Sequence, residues 1–126
     1  MQSAASILIV DDHDGFRAFA RGMLEAAGFT VAEAATGAEA AEAARSVRPG
    51  LVLLDIQLPD SDGFEVARRL VAQAGEPAQA GGPVIVLTST RDASDYGSRI
   101  SSSPAVGFLP KDELSGAALL RFLAAS

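Results

Sequence analysis

The chain has no cysteine among its 126 residues. That excludes a disulfide framework, a thiolate metal centre and a cysteine nucleophile. No apolar run approaches the ~20 residues that a membrane span requires. The first six residues carry no basic region ahead of the first apolar run, so no secretory signal is read there. Basic residues are scarce and scattered: 10 Lys and Arg stand against 16 Asp and Glu, a formal net charge of −6. They form no stripe, and the acidic balance disfavours DNA or an anionic membrane surface as a partner. The expectation is a cytoplasmic protein with neither nucleic acid nor membrane as a direct partner. What is plentiful is apolar, 48% of the chain, with much of it alanine, which favours closely packed helices. The length suits one domain with a proper core, residues 1–126.

The core is legible around Leu51-Val-Leu-Leu-Asp55-Ile-Gln-Leu-Pro59. Four apolar residues without a polar break read as a strand buried on both faces, the habit of parallel sheets. Asp55 follows where the run stops, and Pro59 keeps the strand from continuing. Similar runs begin at Ser6, ending in Asp11-Asp12, at Pro83, ending in Thr88-Ser89-Thr90, and at Ala105, ending in Pro110-Lys111. A weaker, more exposed strand is expected over 29–33. Between the strands the apolar spacing turns helical. Phe16, Phe19, Ala20, Met23, Leu24 and Ala27 share one face of a first helix closed by Gly28. Thr36-Gly-Ala-Glu39 is a capping box for a second, ended by Pro49-Gly50. Asp62-Gly-Phe-Glu65 opens a third, with Phe64, Ala67, Leu70 and Val71 inward. Residues 91–100 make a poor fourth helix, with only Tyr96 and Ile100 as sizeable apolar residues. Residues 112–124 make a fifth. The stretch 74–82 reads as a flexible connector, longer than most such loops.

Five strands alternating with five helices predict an α/β, doubly wound parallel sheet with right-handed crossovers. The common order for five strands is 2-1-3-4-5, with the ligand crevice at the switch point between strands 1 and 3. That order gathers Asp11, Asp12 and Asp55 at one crevice, with Thr88 and Lys111 on the next two strands. Unit charges about 4 Å apart repel by ~4 kcal/mol at an effective dielectric near 20. Either one carboxylate is protonated, or a cation sits among them. Oxygen ligands with no cysteine and no second histidine suit Mg²⁺ or Mn²⁺ better than zinc. His13 is expected to be a helix-start or surface residue and not a ligand. A carboxylate beside a divalent cation, a lysine and a hydroxyl suits phosphoryl transfer: Asp55 as nucleophile, Lys111 and Thr88 contacting the phosphoryl oxygens. Each residue alone has an ordinary explanation, since Asp and Thr are common at turns and a lone Lys is commonly solvated. Their joint placement on four strands is what chance does not readily supply.

With these pieces in place, Ile7-Leu-Ile-Val-Asp11-Asp12, Leu53-Leu-Asp55-Ile-Gln-Leu-Pro59 with Asp62-Gly63, Val84-Ile-Val-Leu-Thr88, and Gly107-Phe-Leu-Pro-Lys111, the chain resembles the receiver domain of two-component response regulators. The resemblance runs over essentially the whole chain. It implies that Asp55 accepts a phosphoryl group from a phosphohistidine on a sensor histidine kinase or phosphotransfer protein. It implies that Asp12, Asp55 and the Gln57 backbone carbonyl bind Mg²⁺, with Asp11 acting largely through water. It implies that Thr88 and Lys111 read the phosphoryl group and that Phe108 is an aromatic switch. Gln57 and Thr90, flanking the site, are expected to modulate hydrolysis. The family commonly has proline after the lysine; here Asp112 follows Lys111, and a trans bond is expected. Phe108 replaces the commoner tyrosine.

The expectation is a stand-alone receiver with no output domain, not an enzyme on other substrates. It would signal to a downstream protein through the face of helix 4, strand 5 and helix 5, or relay the phosphoryl group onward. Residues 91–104 are expected to be its most mobile part. Two alternatives stay open. One is a phosphate-independent interaction module of the same fold. The other is an aspartyl-phosphate phosphohydrolase, although Gln57 stands where such an enzyme needs a second acid.

Overall fold

A computed structural model describes residues 6–74 and 83–125. The connector expected at 74–82 therefore falls, beyond Ala74, outside the described residues. The element order is β1 (Ser6–Val10), α1 (Asp14–Ala26), β2 (Thr30–Ala34), α2 (Gly37–Val47), β3 (Leu51–Asp55), α3 (Gly63–Ala74), β4 (Val84–Ser89), α4 (Ser98–Ser101), β5 (Gly107–Pro110) and α5 (Gly116–Ala125). The five strands are parallel in the order β2-β1-β3-β4-β5, as expected.

Alternation along each strand divides the core in two. Leu8, Val10, Val52, Leu54, Ile85 and Leu87 pack with Ala40 and Ala41 of α2 and Phe64, Val66, Ala67 and Leu70 of α3. Ile7, Ile9, Leu51, Leu53 and Val86 pack with Ala20 and Leu24 of α1 and Ala118 and Leu119 of α5. β3 sits in the middle, and all five of its residues are buried. Each buried Leu, Ile or Val contributes roughly 1.5–3 kcal/mol on leaving water. An unbroken apolar strand is therefore stable only where both faces are covered.

The local signals act through identifiable bonds. Gly28 takes φ 101, and the Gly28 and Phe29 amides donate to the Glu25 and Leu24 carbonyls, a helix stop that favours glycine. Thr36 Oγ1 accepts the Glu39 amide at 3.0 Å, while Glu39 Oε1 accepts the Ala35 amide at 2.8 Å, one residue before the position a capping box usually reaches. Asp62 Oδ1 caps α3 by accepting the Glu65 amide at 2.8 Å. Asp60 reaches across to the first turn of α2, accepting the Gly37 and Ala38 amides at 2.8 and 3.1 Å. That tie between the loop after β3 and the second helix has no local sequence pattern.

Three expectations need correction. Phe19 is 62% exposed, because it lies at the edge of the apolar arc of α1, away from Leu24. The fourth helix is not one helix. A 3-10 turn at Ala93–Asp95 is separated by Gly97, at φ 57, from the four residues of α4. Too few apolar anchors hold that segment to the sheet for a longer helix to form. The fifth helix starts at Gly116, not near residue 112: Lys111–Glu113 form a 3-10 turn, and Ser115 Oγ accepts the Ala118 amide at 3.0 Å.

Gly63 marks the closest approach of α3 to the sheet. A Cβ there would lie 2.7 Å from the Asp55 carbonyl oxygen and 2.7 Å from the Ile56 Cα, backbone that cannot step aside. Gly63→Ala should cost roughly 1–3 kcal/mol in urea unfolding; an unchanged midpoint would refute the packing argument. In hydrogen exchange, amides over residues 92–104 should exchange faster than those of β3. Equal protection would contradict the weak anchoring of α4.

Candidate functional site

The carboxyl ends of β1 and β3 lie side by side, with Val10 in register with Leu54. Asp55 pairs in register with Thr88 at the end of β4. Few polar side chains are buried among the described residues, namely Asp11, Asp55, Thr88 and Ser89, and all belong to this end of the sheet. The crevice expected from topology is thus where the molecule accepts the expense of burying charge.

Lys111 answers that charge from the loop after β5. Its Nζ lies 2.6 Å from Asp11 Oδ2 and 3.3 Å from Asp55 Oδ2. The approach to Asp11 Oδ2 is an ion pair without hydrogen-bond alignment, so that buried oxygen has charge compensation but no directed donor. The Lys111 ammonium also lies over the Phe16 ring, 4.5 Å from its centroid. Asp55 Oδ1 accepts the Gln57 amide at 3.1 Å. Arg17 holds the β1 end in place, donating to the Asp11 carbonyl at 2.6 Å and to Glu33 at 2.9 Å.

The two buried carboxylates differ in their electrostatics. Burial pushes Asp55 up to about 6, aided by the charge of Asp11 and opposed by the Gln57 amide and Lys111. For Asp11, burial pushes upward too, but Lys111 and the His13 amide and ring outweigh it and leave the group below its ordinary value. Asp11 therefore stays ionised while Asp55 is the group whose charge is poorly tolerated.

Asp12 is exposed at the mouth of the crevice. The surface and helix-start reading of His13 is incomplete. The residue is exposed and precedes α1, but its ring turns into the carboxylates. His13 Nδ1 lies 2.9 Å from Asp11 Oδ1, 3.3 Å from Asp12 Oδ1 and 4.0 Å from Asp55 Oδ2. One ligand atom from each of Asp11, Asp12, His13 and Asp55 falls within 4.8 Å of the others. A donor set of three carboxylates, one with a buried oxygen lacking a directed donor, fits a divalent cation.

Thr88 stands beside Asp55, but its hydroxyl donates to the Leu109 carbonyl at 2.6 Å. Thr90 is exposed and lines a cavity of about 420 Å³ with His13, Phe16, Lys111 and Asp112. Phe108 is half-buried, its ring 6.1 Å from that of Tyr96. The helical spacing marks Tyr96 only as an apolar anchor. Its ring also meets Phe64 at 5.9 Å, and its hydroxyl lies 2.7 Å from buried Ser89 Oγ. Arg99 stacks 4.4 Å over the Phe64 ring. No spacing in the sequence announces that cluster, because its members come from four separate segments.

Residues 7–121 match the family model described as the response regulator receiver domain. The chain is 40% identical over 110 residues to a Pseudomonas aeruginosa protein provisionally named a transcriptional regulator, covering 86% of this chain and 50% of that one. It is 37% identical over 89 residues to the DNA-binding response regulator MtrA of Mycolicibacterium smegmatis, covering 71% and 36%. The chain thus spans half or less of the length of these relatives. Among solved structures it resembles the chemotaxis protein CheY4 of Vibrio cholerae, with a TM-score of 0.81, 27% identity and 98% of each chain covered. It also resembles the NarL receiver domain of Mycobacterium tuberculosis, with a TM-score of 0.83, 26% identity, and 99% and 100% covered.

The elevated Asp55 value carries a stability consequence. A carboxyl group with a raised folded-state value favours folding below its unfolded value, and loses that contribution as pH rises through about 6. In metal-free protein, Asp55→Asn should therefore raise the melting temperature by several degrees near neutral pH. The gain should vanish below about pH 4. A pH-independent difference would show that burial and Asp11 do not set this group's charge.

Proposed function

The chain belongs to the response regulator receiver domain family of two-component signalling, and from that premise we propose that Asp55 is its phosphoacceptor. The observation that carries the reading is a buried carboxylate, 3.3 Å from Lys111 Nζ, at the carboxyl end of the central strand and beside two further aspartates. An Asp55 oxygen bonds to phosphorus as the phosphorus–nitrogen bond of a donor phosphohistidine breaks, and the departing imidazole nitrogen takes up a proton. The donor is a sensor histidine kinase or a phosphotransfer protein. Asp12, Asp55 and the Gln57 carbonyl would hold a Mg²⁺ ion, with Asp11 acting largely through water, and the ion would neutralise charge on the phosphoryl oxygens.

The chain's own groups do the rest. Lys111, already against both buried carboxylates, moves its charge to a phosphoryl oxygen. Thr88 gives up the Leu109 carbonyl and donates to another. Rotation of Thr88 releases a tie between β4 and β5, and Phe108 moves inward toward the space beside Tyr96. That repacking changes the face of α4, β5 and α5, through which a downstream protein reads the state. Gln57 and Thr90 border the route of a water to the phosphoryl group and set its lifetime. The chemistry is confined to the protein's own aspartate, so it is not an enzyme on other substrates. Among the described residues, no helix is long and apolar enough to cross a membrane.

Incubation with a small phosphodonor and Mg²⁺ should add one hydroxylamine-sensitive phosphoryl group per chain, and Asp55→Asn should abolish it. Hydrolysis of many equivalents of a phosphate ester would instead reveal a phosphohydrolase. No modification and no turnover would leave a phosphate-independent interaction module.

A further inference from the structure

His13 is the only histidine in the chain, and its exposed ring could point to solvent. It does not. The His13 amide donates to Asp11 Oδ1 at 2.8 Å, and the ring nitrogen Nδ1 lies 2.9 Å from the same oxygen. The backbone and the ring are thus both fixed on one carboxylate. Nδ1 also faces Asp12 Oδ1 at 3.3 Å and Asp55 Oδ2 at 4.0 Å. A carboxylate oxygen and an imidazole nitrogen this close need a proton or a cation between them.

These separations match the edges of a coordination polyhedron. An octahedral ion with ~2.1 Å bonds holds adjacent ligand atoms ~3.0 Å apart and opposite ones ~4.2 Å apart. The 2.9 and 3.3 Å separations, to Asp11 Oδ1 and Asp12 Oδ1, correspond to adjacent positions. The opposing cation is Lys111, which approaches Asp11 and Asp55 through their Oδ2 atoms and leaves Asp11 Oδ1 and Asp12 Oδ1 to the His13 side. Arg17 engages the Asp11 carbonyl and not its carboxylate. A neutral ring with its proton on Nε2 can present the Nδ1 lone pair to an ion without further rearrangement.

We infer that His13 Nδ1 is a ligand in this receiver's cation site, so that the site takes first-row transition dications with one imidazole nitrogen among carboxylate oxygens. This rests on the receiver reading and narrows its cation. Mg²⁺ gains little from a nitrogen ligand, whereas Co²⁺, Ni²⁺ and Zn²⁺ gain substantially. The position therefore shifts relative affinity away from Mg²⁺ and toward those ions.

Co²⁺ and Mg²⁺ are the probes, used on the full chain without an affinity tag. With a single imidazole in the molecule, proton NMR of the Co²⁺ complex should show one set of strongly hyperfine-shifted ring resonances. His13→Ala should abolish them. The same substitution should weaken Co²⁺ binding by about 10-fold or more, and change Mg²⁺ binding by less than about 2-fold. Circular dichroism melts of the variant confirm that it folds. If Co²⁺ binds with unshifted imidazole resonances, or with equal affinity in the variant, His13 is a hydrogen-bond partner of Asp11 and the inference fails. In that case Mg²⁺ still perturbs Asp11, Asp12 and Asp55, and the receiver reading stands. If neither ion perturbs those three residues, both fail.

Discussion

Burying two like charges beside each other is the constraint on which this molecule is built. Asp11 and Asp55 are inside the protein at the ends of adjacent strands, where water cannot screen them. A single lysine reaches both, and it is placed by a loop at the far edge of the sheet. The arrangement is tolerable but unfinished: Asp11 remains a settled anion, while Asp55 is held at the margin of ionisation. A side chain in that state gains by acquiring either a cation or a covalent partner. The chemistry proposed for Asp55 is thus a relief of a cost already present in the resting fold.

The same end of the sheet links the site to the opposite face. Thr88 is next to Asp55 along one direction and is tied to the Leu109 carbonyl along the other. Ser89, the following residue, meets the Tyr96 hydroxyl, and the Tyr96 ring lies between Phe64 and Phe108. A change at one strand end therefore meets this chain of contacts directly. The segment holding Tyr96 has few apolar anchors, chiefly Tyr96 and Ile100. Sparse anchoring and contact with the strand end that bears Thr88 thus occur in the same place.

Much of this was readable from residue order. Uninterrupted apolar runs identified the buried strands, because a β-strand covered on both faces has no place for a polar residue. Strand alternation with helices then implied the sheet order, and the order alone brought Asp11, Asp12, Asp55, Thr88 and Lys111 to one end. Helix starts were legible at Thr36 and Asp62 because capping is a bond between residues three apart. The start of α5 was misplaced because Asp112 and Glu113 look like a helix beginning, while the bond that forms comes from Ser115. Phe19 was misread because helical spacing assigns a face but not the width of the neighbour that covers it.

Residue type and spacing by themselves determined the fold, the acidic crevice and the carboxylate at the end of the central strand, since each follows from periodicity or from the end of a strand. Only tertiary structure decided where His13 points, which oxygen of which aspartate Lys111 takes, and that the Thr88 hydroxyl is already engaged. It also decided that Asp60 ties a distant helix and that Tyr96 joins Phe64 to Phe108. The physical reason is the range of the interactions. Periodicity and capping act over a few residues, whereas a rotamer choice is settled by charges and rings brought close from segments far apart in the chain.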